Sequence, residues 1–249
     1  MKYSNNSAIN QLTSEKCSWL HSQLESLPLI KFPFNVKSLP SNGIYFFYEQ
    51  GEMTEHNYGN GPIPRVVRIG THKENNFQSR ISEHFLLNES KMNFTIANAK
   101  PSDRSIFRKN IGRALLNKNN DYYLRIWNID YTSKENRFKM NLMRNINKEK
   151  QIESEISKIL RERFSFRFIV LEGQQKRIRK EGLESRLIGT VAGCNICNAS
   201  ENWLGRSSPL EQIRNGKLWL SQYLVAEGIT DHDKEDIMNA ITNTKEKLI

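Results

Sequence analysis

Two strand-forming stretches decide the fold: Gly43-Ile44-Tyr45-Phe46-Phe47-Tyr48 and Arg65-Val66-Val67-Arg68-Ile69-Gly70. β-Branched and aromatic residues dominate both stretches, and Asn42-Gly43 supplies a turn before the first. A polar stretch with several glycines, residues 49–64, separates them. We therefore predict an antiparallel hairpin with an unusually long, exposed loop.

Helical periodicity surrounds this hairpin. Phe77, Ile81 and Phe85 recur at four-residue intervals, which is the spacing of one helix face. The same reasoning predicts helices over residues 7–25, 76–87, 105–117, 152–163, 175–192 and 233–247, and a third strand over 166–171. The prolines at 28, 33 and 40 break up the connection after the first helix. This order predicts an α+β fold, with a small antiparallel or mixed sheet flanked by helices, an N-terminal helix and an α-rich C-terminal extension.

Two details of these helices can be checked directly. In the helix over 105–117, the residues predicted to point inward are Ile106, Ile111, Ala114 and Leu115. Thr230 or Asp231 is predicted to cap the last helix, since both residue types accept a hydrogen bond from a free backbone N–H.

The composition favours a nucleic-acid partner. The 249 residues include 37 Lys+Arg against 27 Asp+Glu, with a net charge of +10 and a pI ≈ 9.5. An excess of this size is typical of proteins that bind polyanions. The length fits a single domain over residues 1–249. The sequence shows neither a signal peptide nor the apolar stretch of ~18 residues that spans a membrane, so no membrane partner is predicted.

Three cysteines, Cys17, Cys194 and Cys197, do not make a disulfide framework, and this favours a reducing cytoplasm. Cys194 and Cys197 have the C-x-x-C spacing of some metal sites. A zinc site needs about four ligands, and no second cysteine pair or closely spaced histidine pair follows. Two interpretations stay open: a metal site, or two thiols near a helix end.

Charged side chains occur where a core is expected. Arg80 and His84 share the helix face of Phe77, Ile81 and Phe85. Because burying an unpaired arginine is costly, Arg80 either extends its head to water or opens onto a cleft. Glu184 likewise borders a stripe formed by Leu183, Leu187, Ile188 and Val191. It either pairs structurally or enters a cleft and holds a divalent cation.

Four elements together resemble the GIY-YIG nuclease superfamily: Gly43-Ile44-Tyr45, Arg68-Ile69-Gly70, the helix with Arg80, and the helix with Glu184. The order matches that of the superfamily. Arg68-Ile69-Gly70-Thr71-His72 followed by Arg80 is more closely similar to the GIY-YIG restriction endonucleases, in which a basic residue can replace the tyrosine of YIG. The resemblance implies a nuclease core over residues 41–205, with a basic insertion near 119–150 and helical embellishments over 1–40 and 206–249. The long hairpin loop and Arg68 in place of tyrosine depart from the superfamily pattern.

The resemblance also implies a chemistry, the hydrolysis of DNA phosphodiesters. Glu184 would hold one Mg²⁺, an ion that accepts a single protein carboxylate and several waters. Tyr45 would contact the attacking water, as general base or as its orienter, with Arg68 beside it. His72 is the alternative proton acceptor or a hydrogen-bond partner of Tyr45. Arg80 would bind the scissile phosphate. Two further residues would support the site: Asn202 next to Trp203, and His84 one turn after Arg80, with a packed core histidine as the alternative for His84.

Double-stranded DNA is the implied substrate, with phosphate contacts predicted for Arg104, Arg108, Lys109 and Arg113. The compact chain favours a type II restriction enzyme that works as a homodimer on a palindromic site, with a cognate methyltransferase as a separate protein. Repair, mobile-element and structure-selective GIY-YIG nucleases are alternatives. A non-catalytic basic nucleic-acid-binding protein is the alternative from another class. The basic segment over 134–150 is either a mobile insertion or a DNA-contacting arm.

Overall fold

The computed structural model describes residues 2–56, 58, 59, 61–173, 177 and 182–248, with side chains described from residue 11 onward. Within these residues it has four strands: β1 (Ile30–Lys31), β2 (Ile44–Met53), β3 (Pro64–Gly70) and β4 (Phe164–Ile169). The α-helices of the described residues are α1 (Lys2–Leu24), α2 (Phe77–Phe85), α3 (Ile106–Lys118), α4 (Leu124–Trp127), α5 (Lys134–Lys139), α6 (Ile146–Arg163), α7 (Leu183–Ala192), α8 (Glu211–Gly216) and α9 (Asp231–Leu248).

The strands form one antiparallel sheet in the order β1-β4-β2-β3. Tyr45 of β2 lies opposite Gly70 of β3 on one side and Phe168 of β4 on the other. The α+β fold and the hairpin predicted from the sequence are thereby confirmed. The strand β1 was not predicted, because two residues carry no readable periodicity.

The hairpin strands are longer and its loop shorter than predicted. β2 continues to Met53, so the connection spans residues 54–63 rather than 49–64. Its polar residues Glu49 and Glu52 concealed the strand, since both side chains are buried. Glu49 accepts hydrogen bonds from two tryptophan indoles, and Glu52 pairs with Arg65 at 2.5 Å. Paired carboxylates are tolerated where unpaired ones are not.

Two hydrophobic cores lie against the sheet. One contains Tyr45 and Phe47 of β2 with side chains of α2, α3 and α6. The other contains Phe46 and Tyr48 with side chains of α1, α7 and α9. Because alternate residues of a strand point to opposite faces, a strand covered on both faces reads as one continuous apolar run. This arrangement explains the unbroken run from Ile44 to Tyr48.

The helices differ from the prediction mainly in which residues face inward and in where each helix begins. Ile106 was predicted to point inward and is 50% exposed, so that prediction is wrong. The inner face of α3 instead carries Phe107, Ile111 and Ala114, each fully buried. α9 begins as predicted with a cap, and the residue is Thr230, whose hydroxyl accepts from the Asp233 N–H at 3.2 Å. Of the helix predicted over 175–192, residues 175, 176 and 178–181 lie outside the described residues.

The basic segment over 134–150 contains α5 and the first turn of α6. α6 begins six residues before the predicted start, where the Asn145 side chain accepts from the Lys148 N–H at 3.0 Å. Arg144 is buried and pairs with Glu149 at 2.6 Å. The segment is thus tied into the fold at Arg144. No helix of the described residues is long and apolar enough to cross a membrane.

Candidate active site

A cleft of about 400 Å³ opens where β2 and β3 meet α2, α3 and α7. Polar side chains from five elements line it: Tyr45, Arg68, Arg80, His84, Asn110 and Glu184. Residues far apart in the sequence meet here because the antiparallel pairing puts the start of β2 beside the end of β3. The first turn of α7 then brings Glu184 to the same point.

Tyr45 is the floor of the cleft. Its side chain is 2% exposed, and its ring packs against the backbone of Gly70. A Cβ atom at Gly70 would lie 2.6 Å from the Tyr45 Cζ atom, so only glycine leaves room for the ring. Burial raises the pKa of Tyr45, and the positive charges of Arg68 and Arg80 oppose this rise. Tyr45 is therefore a neutral phenol in the resting protein.

His84 holds the Tyr45 hydroxyl. Its Nε2 atom lies 3.0 Å from the Tyr45 hydroxyl oxygen, and its Nδ1 atom lies 2.8 Å from the Ser105 hydroxyl. Burial, followed by the charges of Arg68 and other arginines, lowers the pKa of His84 well below the usual value. A neutral imidazole donates from one nitrogen and accepts at the other. His84 thus links Tyr45 to Ser105, the N-cap residue of α3.

Two arginines place positive charge in the cleft. Arg68 is buried beside the Tyr45 hydroxyl, and its guanidinium donates to the Trp219 carbonyl. Among the residues that the structure describes, its Nε has no hydrogen-bond partner. Arg80 is one-third exposed at the rim, where it donates to the Glu83 carboxylate and to the Arg104 carbonyl, both at 3.1 Å. A guanidinium has five donor hydrogens, so Arg80 keeps donors for an anion in the cleft.

Glu184 is the only acidic residue among the described residues that line the cleft. Its Oε1 accepts from the Thr71 N–H at 3.0 Å, which fixes the carboxylate next to the end of β3. Burial raises the pKa of Glu184 to about 7, against the hydrogen bond from Thr71 and the charge of Arg68. A half-buried carboxylate with few protein partners fits a Mg²⁺ that keeps most of its waters.

Two predicted site residues lie outside the cleft. His72 is buried beside Phe77, where its Nε2 accepts from the Gly43 N–H at 3.1 Å and its Nδ1 contacts the Lys73 carbonyl. Both ring nitrogens of His72 are hydrogen-bonded to backbone groups, so the prediction that His72 accepts the proton is wrong. Asn202 is exposed next to Trp203, whose indole donates to Glu49. Glu49 lies four residues beyond Tyr45, about 13 Å along the strand, so Asn202 does not support the site.

The four predicted phosphate contacts divide into two pairs. Arg108 is fully buried and pairs with Glu153 at 2.7 Å, and Lys109 bonds to Asp103 at 3.0 Å. Neither cation can reach DNA, and both predictions are corrected to structural roles. Arg108 pairs with a carboxylate 45 residues away, which its neighbours in the sequence do not indicate, whereas the partner of Lys109 lies six residues before it. Arg104 is exposed beside Arg80, and Arg113 is half-buried, so both stay predicted DNA contacts.

Replacing Arg108 by alanine is expected to destabilise the protein by about 3–5 kcal/mol, the usual cost of leaving one partner of a buried ion pair unpaired. The Glu153 Oε2 would lose two donors, and the His84 carbonyl would lose a donor at 3.1 Å. Urea denaturation measures the change. Arg104→Ala is the matched control, because only its backbone carbonyl contacts Arg80, and its stability should stay within about 0.5 kcal/mol. Equal stability of both variants would contradict the structural role of Arg108.

A comparison of the sequence with models of protein families identifies the family of this chain. The model of the GIY-YIG domain matches residues 20–247. The chain belongs to the GIY-YIG domain family. The match covers the hairpin, Arg80 and Glu184, and it extends beyond the predicted core of 41–205 at both ends. This membership supports a nuclease of the GIY-YIG type. Comparisons with curated proteins and with solved structures gave no match.

Sequence reasoning missed two parts of this GIY-YIG cleft. Asn110 of α3 is buried and lines it, with its Oδ1 accepting from Arg113 at 2.7 Å. The spacing could have indicated it, because Asn110 lies three residues after Phe107 and therefore on the inner face of α3. The prediction placed Ile106, not Phe107, on that face and so did not use this spacing. Residues 220–223 also line the cleft, and no local pattern indicates that a segment 150 residues from Arg68 returns to cover it.

Proposed function

We propose that this GIY-YIG protein is a Mg²⁺-dependent endonuclease that hydrolyses phosphodiester bonds of double-stranded DNA. The observation that carries the proposal is the meeting of Tyr45, Arg80 and Glu184 in one cleft. A single carboxylate, a rim guanidinium and a tyrosine hydroxyl can hold one metal ion, bind the phosphate and orient the water in phosphodiester hydrolysis. The net charge of +10 agrees with a polyanionic substrate.

Glu184 is the proposed ligand of the cation. When bound, Mg²⁺ would supply Lewis-acid stabilisation to a phosphate oxygen and to the leaving oxygen. The Thr71 N–H keeps the carboxylate from rotating away, since it occupies Oε1 from the backbone. The raised pKa of Glu184 means that the cation competes with a proton near neutral pH, so cleavage should increase as the pH rises through about 7.

Tyr45 is proposed to orient the attacking water. If its hydroxyl donates to the His84 Nε2, the oxygen lone pairs are free to accept a hydrogen bond from water in the cleft. Arg68, beside the hydroxyl, favours negative charge at that position, including charge that develops on a water held by the Tyr45 oxygen. His84 is a positioning residue in this scheme, and Ser105 fixes its ring from the other side.

Arg80 is proposed to bind the scissile phosphate. It is the more exposed of the two cleft arginines, and its bond to Glu83 can exchange for a phosphate oxygen at little cost because exposed ion pairs contribute about 0–1 kcal/mol. Arg104 precedes the cap of α3, and its carbonyl accepts from Arg80; Arg113 lies on α3 and donates to Asn110 of the cleft. Both would contact neighbouring phosphates.

Within this function we propose a type II restriction enzyme. Support comes from Arg68 in the place of the YIG tyrosine, the feature shared with the restriction members of the family. A palindromic site would require a homodimer on DNA, each protomer cutting one strand. Protection of the host genome would then require a methyltransferase as a separate protein.

The test is incubation of the purified protein with unmethylated phage DNA, with and without Mg²⁺, read on a gel. Discrete bands that require Mg²⁺ support sequence-specific cleavage, and end sequencing gives the site. A smear would instead favour a repair or structure-selective nuclease. DNA that stays intact but is shifted by the protein would favour the non-catalytic binding protein.

A further inference from the structure

A second polar cluster lies away from the cleft, in the core beside α1. Four buried side chains place their ligand atoms within 4.8 Å of one another: Cys17, His56, Cys194 and Cys197. They come from α1, from the loop between β2 and β3, and from the segment just after α7. The sequence revealed only the C-x-x-C pair, because the other two ligands lie 177 and 138 residues before Cys194.

Two of the distances between these ligand atoms match the edges of a tetrahedron around zinc. Bond lengths of about 2.3 Å for Zn–S and 2.0–2.1 Å for Zn–N predict S···S edges of about 3.8 Å and S···N edges of about 3.5 Å. The Sγ atoms of Cys17 and Cys197 are 3.8 Å apart, and the Cys194 Sγ lies 3.4 Å from the His56 Nε2. Packing of buried thiols alone would not bring a histidine nitrogen and three sulfurs within 4.8 Å of one another.

We propose that this Cys₃His cluster binds one structural zinc ion. Three thiolates and an imidazole complete a four-coordinate shell, and burial of all four leaves no open position for a substrate. Soft sulfur ligands in tetrahedral geometry select zinc over the magnesium proposed for Glu184. The neighbouring His21 is not a fifth ligand, since its Nε2 accepts from the Val66 N–H at 3.1 Å.

Surrounding groups support the ligands as the outer shell of a metal site does. The Cys197 N–H lies 3.4 Å from the Cys194 Sγ, a contact that favours a thiolate at that sulfur. Three thiolates around Zn²⁺ would carry a net charge of −1, and the Lys217 ammonium lies close by, donating to the Cys194 carbonyl at 2.8 Å. The Cys17–Cys197 pair is not a disulfide, because its sulfurs are 3.8 Å apart and an S–S bond is about 2.05 Å long.

The cluster would anchor the far end of the Glu184 helix. Glu184 and Cys194 are separated by ten residues, so the two sites are about 15 Å apart if the helical rise continues. Zinc would also fix the hairpin loop through His56 and the N-terminal helix through Cys17. The proposal is independent of the nuclease chemistry, since neither site shares a ligand with the other.

The test is metal analysis of the full chain purified without chelators from zinc-supplemented cells. We expect about one zinc per chain, released by a thiol-specific mercurial together with the loss of structural order. Cobalt exchanged into the protein should give the visible absorption of tetrahedral Co²⁺–thiolate. His56→Cys should keep the metal as a Cys₄ site, His56→Ala should lose it, and the exposed control His232→Ala should keep it.

Several results would overturn the proposal. One is a zinc content below about one ion per ten chains in wild-type protein, with no uptake of cobalt, since a site of this kind retains its metal through purification. Another is an intact mass two hydrogens low, showing a disulfide. Zinc bound equally by His56→Ala and wild type would also sink the assignment. Because metal content is measured on protein without DNA, these outcomes do not depend on cleavage.

Discussion

Replacing Glu184 by glutamine is expected to abolish Mg²⁺-dependent cleavage, with a loss of roughly 10³-fold or more, and to leave DNA binding unchanged or tighter. Glutamine keeps the size of the side chain and the acceptor for the Thr71 N–H. It removes the negative charge that would hold the cation, and with it a charge that repels phosphate. Single-turnover cleavage and a gel-shift titration on the same duplex measure the two effects separately.

The same substitution is expected to stabilise the metal-free protein. The pKa of Glu184 is about 7 in the folded protein, against about 4.3 in an unfolded chain. A raised pKa contributes stability below the unfolded pKa, and this stability is lost as the pH rises toward 7. At pH 8 in magnesium-free buffer, Glu184→Gln should therefore be more stable than wild type by up to about 3–4 kcal/mol, at about 1.4 kcal/mol per pKa unit. The difference should vanish toward pH 4.

Glu155 on α6 provides the matched control, since its side chain is exposed. Glu155→Gln should change neither cleavage nor the pH dependence of stability. Full activity of Glu184→Gln would remove Glu184 from the active site. Lost activity together with lost stability at pH 8 would instead mark it as a structural carboxylate.

Replacing Tyr45 by phenylalanine is expected to slow cleavage by about 10²–10⁴-fold, the range for loss of a group that assists proton transfer. Phenylalanine keeps the ring against Gly70 and loses only the hydroxyl that contacts His84. DNA binding should be unchanged, and the free energy of unfolding should fall by about 1–3 kcal/mol, because the buried His84 Nε2 loses its partner. Single-turnover rates at saturating protein and Mg²⁺ isolate the chemical step.

Tyr48 offers a control on the same strand. It is as buried as Tyr45, but it belongs to the hydrophobic core on the opposite face of the sheet. Tyr48→Phe should cleave at the wild-type rate. If both variants cleave at that rate, Tyr45 is a packing residue; if both are equally slow, the loss reflects the sheet rather than the hydroxyl.

The sequence predicted elements whose periodicity is strong and failed where polar residues are buried by distant partners. The apolar run of β2 and the stripe of α2 gave the hairpin and the first helix after it to within a few residues. The end of β2 was missed because Glu49 looks like a loop residue until two tryptophan indoles are placed against it. Those indoles lie 154 and 170 residues away.

The candidate site shows the same division. Tyr45, Arg80 and Glu184 stood out because charge on an apolar stripe or a family motif marked them, and the structure places them in one cleft. Arg108 and Lys109 misled because a basic helix face looks alike whether solvent or a carboxylate neutralises it. Only tertiary contacts separate these cases, and Glu153 lies on a helix beginning 38 residues after Arg108.

The segment around Trp219 lies along β3, one of the two edge strands of the sheet. Its N–H donates to the Val67 carbonyl at 2.7 Å, and its carbonyl accepts from Arg68, so it covers part of the outer side of β3 as an additional strand would. At the other edge, β1 is only two residues long. Exposed strand edges are templates on which protein chains aggregate. One edge of the sheet is covered and the strand at the other is short, so two copies of this basic protein have little exposed strand edge through which to pair. This holds even when many copies are bound close together along one polyanion.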